Sequence, residues 1–149
     1  MASLVNNYFK ERVAEGTIDL DTDTIKIALL KTDTTADTEA NAQTLSGYTT
    51  LGEFSTSGTN YARATLSVTS SAVDETNNRY EFHASNVTFS ALSASSPAAD
   101  IQGLLVLKHV DGTDANDQPI AFIDFASDLT PDGSDVTIDW DDEGILQLT

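Results

Sequence analysis

His83 and His109 are the only imidazoles the chain offers as bases, and no serine sits in a Gly-x-Ser-x-Gly elbow; Leu45-Ser46-Gly47, the closest string, falls short of that motif. His83 follows Tyr80 and Phe82 in an alternating run but on the opposite parity, so it is expected to face solvent or a partner. His109 ends an apolar run beside Asp111-Gly112, and both histidines read as structural. Carboxylates are abundant, which weakens a glycosidase reading, because general acid catalysis needs one carboxyl whose surroundings raise its pKa. Asp124 is the acid of most interest: it lies between Ile123 and Phe125 with Phe122 on its own parity, so it either turns inward to a backbone amide or shares a mixed face. Asp19, Asp21 and Asp23 alternate, and Asp111, Asp114, Asn116 and Asp117 crowd one loop, but neither set has the Gly at position six and the Glu at position twelve of a calcium loop. On a strand, the first set would also spread over roughly 13 Å, too far to share one ion. The eight glycines are scattered and form no phosphate-cradling loop. No metal or cofactor is expected, and a catalytic role has no positive feature behind it.

Charge narrows the partners. Twenty-four acids against seven Lys and Arg give a net charge of −17 over 149 residues, a field that repels nucleic acid. From Asp111 to Thr149 there are eleven acids and no Lys or Arg, so this stretch reads either as a solvated face or as a field that selects a basic partner. Scarce lysine and abundant aspartate also suit salty surroundings, where self-repulsion is screened. The chain has no run of 18 apolar residues to span a bilayer, residues 1 to 16 lack the apolar core of a secretory signal, and with no cysteine stability must come from burial or assembly.

The elements that must position these residues are mostly strands. Leu4, Val5, Tyr8, Phe9 and Val13 fall on one face of a 3.6-residue period, with Ser3 available as a cap and Gly16 as a stop, which predicts an amphipathic helix from about Ser3 to Ala14. From Thr24 to Lys31 the period becomes two, with Ile25, Ile27 and Leu29 on one side and Lys26, Ala28 and Leu30 on the other. Further strands are expected over Tyr61 to Val68, Arg79 to Ala84, Asn86 to Phe89, Leu104 to Val110, Ile120 to Phe125, Asp135 to Trp140 and Gly144 to Leu148. Turn clusters at Asp74 to Asn78, Asp111-Gly112 and Pro131-Asp132-Gly133 suit antiparallel reversals. The expected fold is all-β: an antiparallel β-sandwich or barrel of about eight strands with one short N-terminal helix, forming a single β domain over 1–149 in which 1–16 is a helix or arm. Thr32 to Ser46 and Ser90 to Asp100 read as surface loops.

The opening Phe9-Lys10-Glu11 with Gly16-Thr17-Ile18-Asp19-Leu20-Asp21-Thr22-Asp23-Thr24-Ile25-Lys26-Ile27-Ala28-Leu29-Leu30 resembles that of a tailed-bacteriophage virion structural protein family. The closing Ile123-Asp124-Phe125, Ile138-Asp139-Trp140 and Glu143 to Thr149 are similar to that family's last three strands, and Gly58, Tyr61 and Ala62 fit its Gly-x-x-Tyr-Ala stretch. The resemblance implies a virion part, read as a capsid decoration (cement) protein: non-enzymatic, on the outer surface of the head, with the major capsid protein as partner and a homotrimer by analogy. The apolar stripe Leu4, Val5, Tyr8 and Phe9 is the expected contact with a capsid or sister subunit, unless it covers the chain's own sheet. The alternative is a receptor- or carbohydrate-binding head or tail fibre module, with Tyr48, Tyr61 or Trp140 stacking on a sugar; the chain carries no repetitive shaft of the kind fibre tips follow.

Overall fold

The computed structural model describes residues 3–69 and 72–149, so residues 1 and 2 of the expected arm lie outside the described residues. It is an all-β fold with one short helix, built on a five-stranded antiparallel sheet. Sheet order is β1 (Leu4–Val5), β8 (Gln118–Leu129), β7 (Ile101–Lys108), β2 (Ile25–Lys31) and β3 (Ala64–Thr65). Two smaller antiparallel sheets face it: β10 (Leu146–Leu148), β5 (Arg79–Phe82) and β4 (Ala72–Asp74) in one, β6 (Val87–Phe89) and β9 (Val136–Ile138) in the other. The described residues hold ten strands where about eight were expected, the additions being the short β1 and β4.

Alternation along the central strands sorts side chains into two apolar layers. Ile25, Ile27 and Leu29 of β2, with Leu104 and Val106 of β7, enter the main core, where the small sheets supply Phe82, Leu146, Phe89 and Ile138. The opposite parity, Ala28 and Leu30 with Leu105 and Leu107, is equally buried, so both faces of the sheet are covered. The cover on the second face is the segment expected to be a surface loop. Ala36, Ala42, Leu45 and Tyr48 are buried against the sheet, and Thr34 Oγ1 donates to the Leu51 carbonyl at 2.7 Å to fold the segment on itself. In the other expected loop, Leu92 is fully buried in the main core.

The helix α1 spans Asn7–Ala14, later than expected, and its cap is Asn6 rather than Ser3: Asn6 Oδ1 accepts from the Tyr8 amide at 2.9 Å. Asn6 itself is extended, which leaves Leu4 and Val5 as strand residues paired with Phe122 and Ala121. The expected stop is where it was placed. Gly16, at φ +69°, lets its own amide reach Val13 and the Thr17 amide reach Arg12, a Schellman closure.

Between Tyr61 and Val68 only Ala64–Thr65 is strand, with one isolated bridge from Val68 to Ala84. Asn60 at φ +59° turns the chain so that Tyr61 dives into the core while Ala62 stays exposed. β8 runs past both expected limits, because register shifts at Gly103 and at Leu107 break its alternation. A Cβ at Gly103 would meet the Ile123 carbonyl and the Phe122 ring, so glycine is what allows β7 and β8 to lie this close.

Candidate interaction surface

The N-terminal stripe is used within the chain. Leu4 and Val5 are half-buried in the sheet, and Asn6 is buried, donating from its backbone to the Ile120 carbonyl at 2.9 Å and from Nδ2 to the Ala42 carbonyl at 3.0 Å. Phe9 is fully buried in the main core, which corrects the expectation that it contacts a partner: reaching one would pull a phenyl ring out of the protein. Tyr8 remains half-buried, its ring 5.7 Å below the Arg12 guanidinium.

Several of the few cations are held by the chain's own carboxylates. Arg63 donates from Nε and Nη2 to Glu53 at 2.9 and 2.5 Å, from Nη2 to Asp114 at 2.5 Å, and from Nη1 to Asp117 at 3.1 Å. The bidentate bond with Glu53 raises the Arg63 pKa against the cost of burial. Asp117 is fully buried; burial disfavours its charge, but amides of Val110 and Gly112 at 2.7 and 3.2 Å and the His109 ring outweigh that and hold its pKa below the ordinary carboxylate value. Asp111, the other prominent acid of this loop, accepts from the Thr113 amide and hydroxyl and from Asn116. The loop acids thus point to different partners: local amides, Asn116 and Arg63.

A second cationic hub was invisible in the sequence. Arg79 Nη2 reaches Asp74 at 3.3 Å, Glu81 at 2.8 Å and Glu143, joining the small three-stranded sheet to the turn before β10. The oxygens of those three acids lie within 4.8 Å of one another, with the guanidinium already among them. Lys108 is tied to Asp23 at 2.7 Å and to the Thr17 carbonyl at 2.9 Å. That anchors a turn at 19–23, where Asp23 accepts from the Asp19 amide and Asp19 from the Asp21 amide; these aspartates do not sit on a strand.

His83 lies 3.1 Å from Glu81, and His109 lies 3.4 Å from Asp117. Asp124 is half-buried opposite Gly103, and its amide donates to the Ser3 hydroxyl oxygen at 3.3 Å. Two of the three candidate stacking rings are inside the protein. Tyr61 donates to Glu53 at 2.8 Å while accepting from the Leu29 amide, and Tyr48 lies under the covering segment, where burial pushes its phenol up to about 12. Trp140 is the exception, half-exposed with its indole N–H on the Ser85 carbonyl at 3.1 Å.

What remains on the outside is acid. Asp128, Asp132, Asp135, Asp139, Asp141, Asp142 and Glu143 are all exposed, and among the described residues only Glu143 of this set meets a cation. The arrangement suits recognition of a cationic surface through a fixed negative field. No helix among the described residues is long and apolar enough to cross a membrane. No family model, curated protein or solved structure matches the chain.

Proposed function

We propose that the protein is a non-enzymatic structural component of a tailed-phage virion, a decoration or cement protein that binds the outer surface of the head. The observation that carries this reading is the exposed acidic surface from Asp128 to Glu143, in a chain whose Arg63, Arg79 and Lys108 are spent on internal ion pairs. Such a surface is kept off the packaged DNA by its own charge and is drawn to basic patches on the major capsid protein. The resemblance of both chain ends to virion structural proteins supports the same assignment, and a homotrimer follows by analogy with other decoration proteins. Burial of Tyr48 and Tyr61 takes away two of the three rings a sugar-binding fibre module would use. The test compares binding of the purified chain to empty heads and to host surface glycans. Saturable, salt-sensitive binding to heads alone is expected; binding to glycans alone would move the protein to the receptor-binding class.

A further inference from the structure

The turn between β9 and β10 stands over a cavity of about 220 Å³, floored by Leu104, Ile123, Ile138 and Ile145 and rimmed by Asp139, Trp140 and Asp141. The rim is held in place by the chain itself. Trp140 donates its amide to Asn86 Oδ1 at 3.2 Å and its indole N–H to the Ser85 carbonyl at 3.1 Å, Asn86 Nδ2 donates to Asp139, and Asp141 Oδ1 accepts from the Glu143 amide at 2.9 Å. The Ile145 amide donates to the Phe82 carbonyl at 2.8 Å and Arg79 holds Glu143, so β5 fastens the turn from the other side. A wall ordered in advance gives up little freedom on binding.

Size, polarity and charge select the occupant. The volume lies below the roughly 300–1,000 Å³ of small-molecule pockets and suits a single side chain. An apolar floor under an acidic rim takes a side chain with a long apolar stem and a cationic tip. The Trp140 indole adds the aromatic face that attracts cations best, and a planar guanidinium can stack on it. Asp139 and Asp141 meet no cation among the described residues, and residues 111–149 supply no Lys or Arg, so the charge that completes the site must come from elsewhere. We infer that this cavity receives one arginine side chain of a partner protein, its stem on Ile123, Ile138 and Ile145 and its guanidinium between Trp140 and the carboxylates of Asp139 and Asp141. The inference deepens the head-surface assignment and rests on it only for the source of the arginine, an exposed residue of the capsid subunit.

Trp140 is the chain's only tryptophan, so its emission reads the cavity directly. Two end-blocked pentapeptides, with arginine or the neutral citrulline between pairs of glycines, are titrated into the full chain at constant ionic strength. The arginine peptide should change the Trp140 emission saturably. Citrulline in the peptide, or D139N/D141N in the protein, should weaken that response about tenfold, the worth of one cation–π contact with its charge partner. Asparagine keeps the acceptors that Asn86 and the Glu143 amide use, so the melting temperature should not move. The same double variant should weaken binding to empty heads by about tenfold, whereas D128N/D132N, which removes equal charge from the acidic surface outside the cavity, should weaken it far less. Equal losses from the two pairs, or no arginine-selective change in emission, overturn the cavity and leave the head-surface assignment standing. An arginine-selective change without binding to heads does the reverse. Emission that shifts with the chain's own concentration, and no longer does so in D139N/D141N, would make a second copy the donor and overturn the capsid source.

Discussion

Asp117 carries a full negative charge in a place water does not reach, and its surroundings explain how. One oxygen is held by the amides of Val110, Asp111 and Gly112 at 2.7, 3.3 and 3.2 Å, the other by Arg63. Removing the carboxylate strands those amides and one arm of the guanidinium, so D117A should cost about 3–5 kcal/mol in urea unfolding, the range for breaking a buried pair from one side. The same group fixes an acid limit. Its pKa is depressed in the folded chain, so its stabilisation is complete above the unfolded carboxylate value near 3.8 and is lost as pH falls through the lower folded value. The stability difference between wild type and D117A should therefore narrow as pH falls below 3.8, read from urea unfolding at each pH. Ala91 offers the opposite test. It is exposed and held at φ +49°, where an L-residue costs about 1–2 kcal/mol and glycine does not, less the roughly 0.5–1 kcal/mol of chain entropy glycine brings. A91G should raise stability by about 0.5–1 kcal/mol, and a loss would mean the backbone there is not strained.

At the scale of elements, the segment from Thr34 to Leu51 and the N-terminal β1–α1 unit act as lids on opposite faces of one sheet. Leu45 is fully buried beneath the first and Phe9 beneath the second, so L45A should cost about 2–5 kcal/mol and F9A about 3–5 kcal/mol. Deleting residues 1 to 9 removes β1 and Phe9 together and should abolish cooperative thermal unfolding rather than yield a folded domain that has lost only its contact. What the sequence made legible follows from what is local. Ile25 to Lys31 alternates cleanly, and both its faces were readable, as were the small strands around Phe82, Phe89, Ile138 and Leu146 and the stop at Gly16. The helix start was misplaced because Leu4, Val5, Tyr8 and Phe9 satisfy a helical period while Asn6, extended and capping, interrupts it. The covering segment escaped notice because two of its buried residues, Ala36 and Ala42, are too small to mark a period, and Leu45 and Tyr48 alone do not make one. The Arg63–Asp117 pair joins residues 54 apart, and the Arg79 hub depends on a turn residue, Glu143, from the far end of the chain; neither leaves a local pattern to find.

For the whole molecule, a net charge of −17 with Arg63, Arg79 and Lys108 held in ion pairs by the chain's own acids sets behaviour in salt. Raising salt from 0.1 to 1 M shortens the screening length from about 10 to about 3 Å, relieving repulsion across the acidic face while touching the buried Arg63 network much less. The melting temperature should rise by a few degrees, equivalent to about 1 kcal/mol for a chain of this length, and a fall would mean that exposed ion pairs outweigh the repulsion. On the proposed reading, the same field keeps the chain off DNA and draws it to a basic shell. A density map of the virion bears on that claim most directly. This β fold should lie on the outer face of the head, seated between capsid subunits with the acidic surface from Asp128 to Glu143 against the shell. Density for the chain at a tail or fibre tip, or inside the head against the packaged DNA, would contradict it.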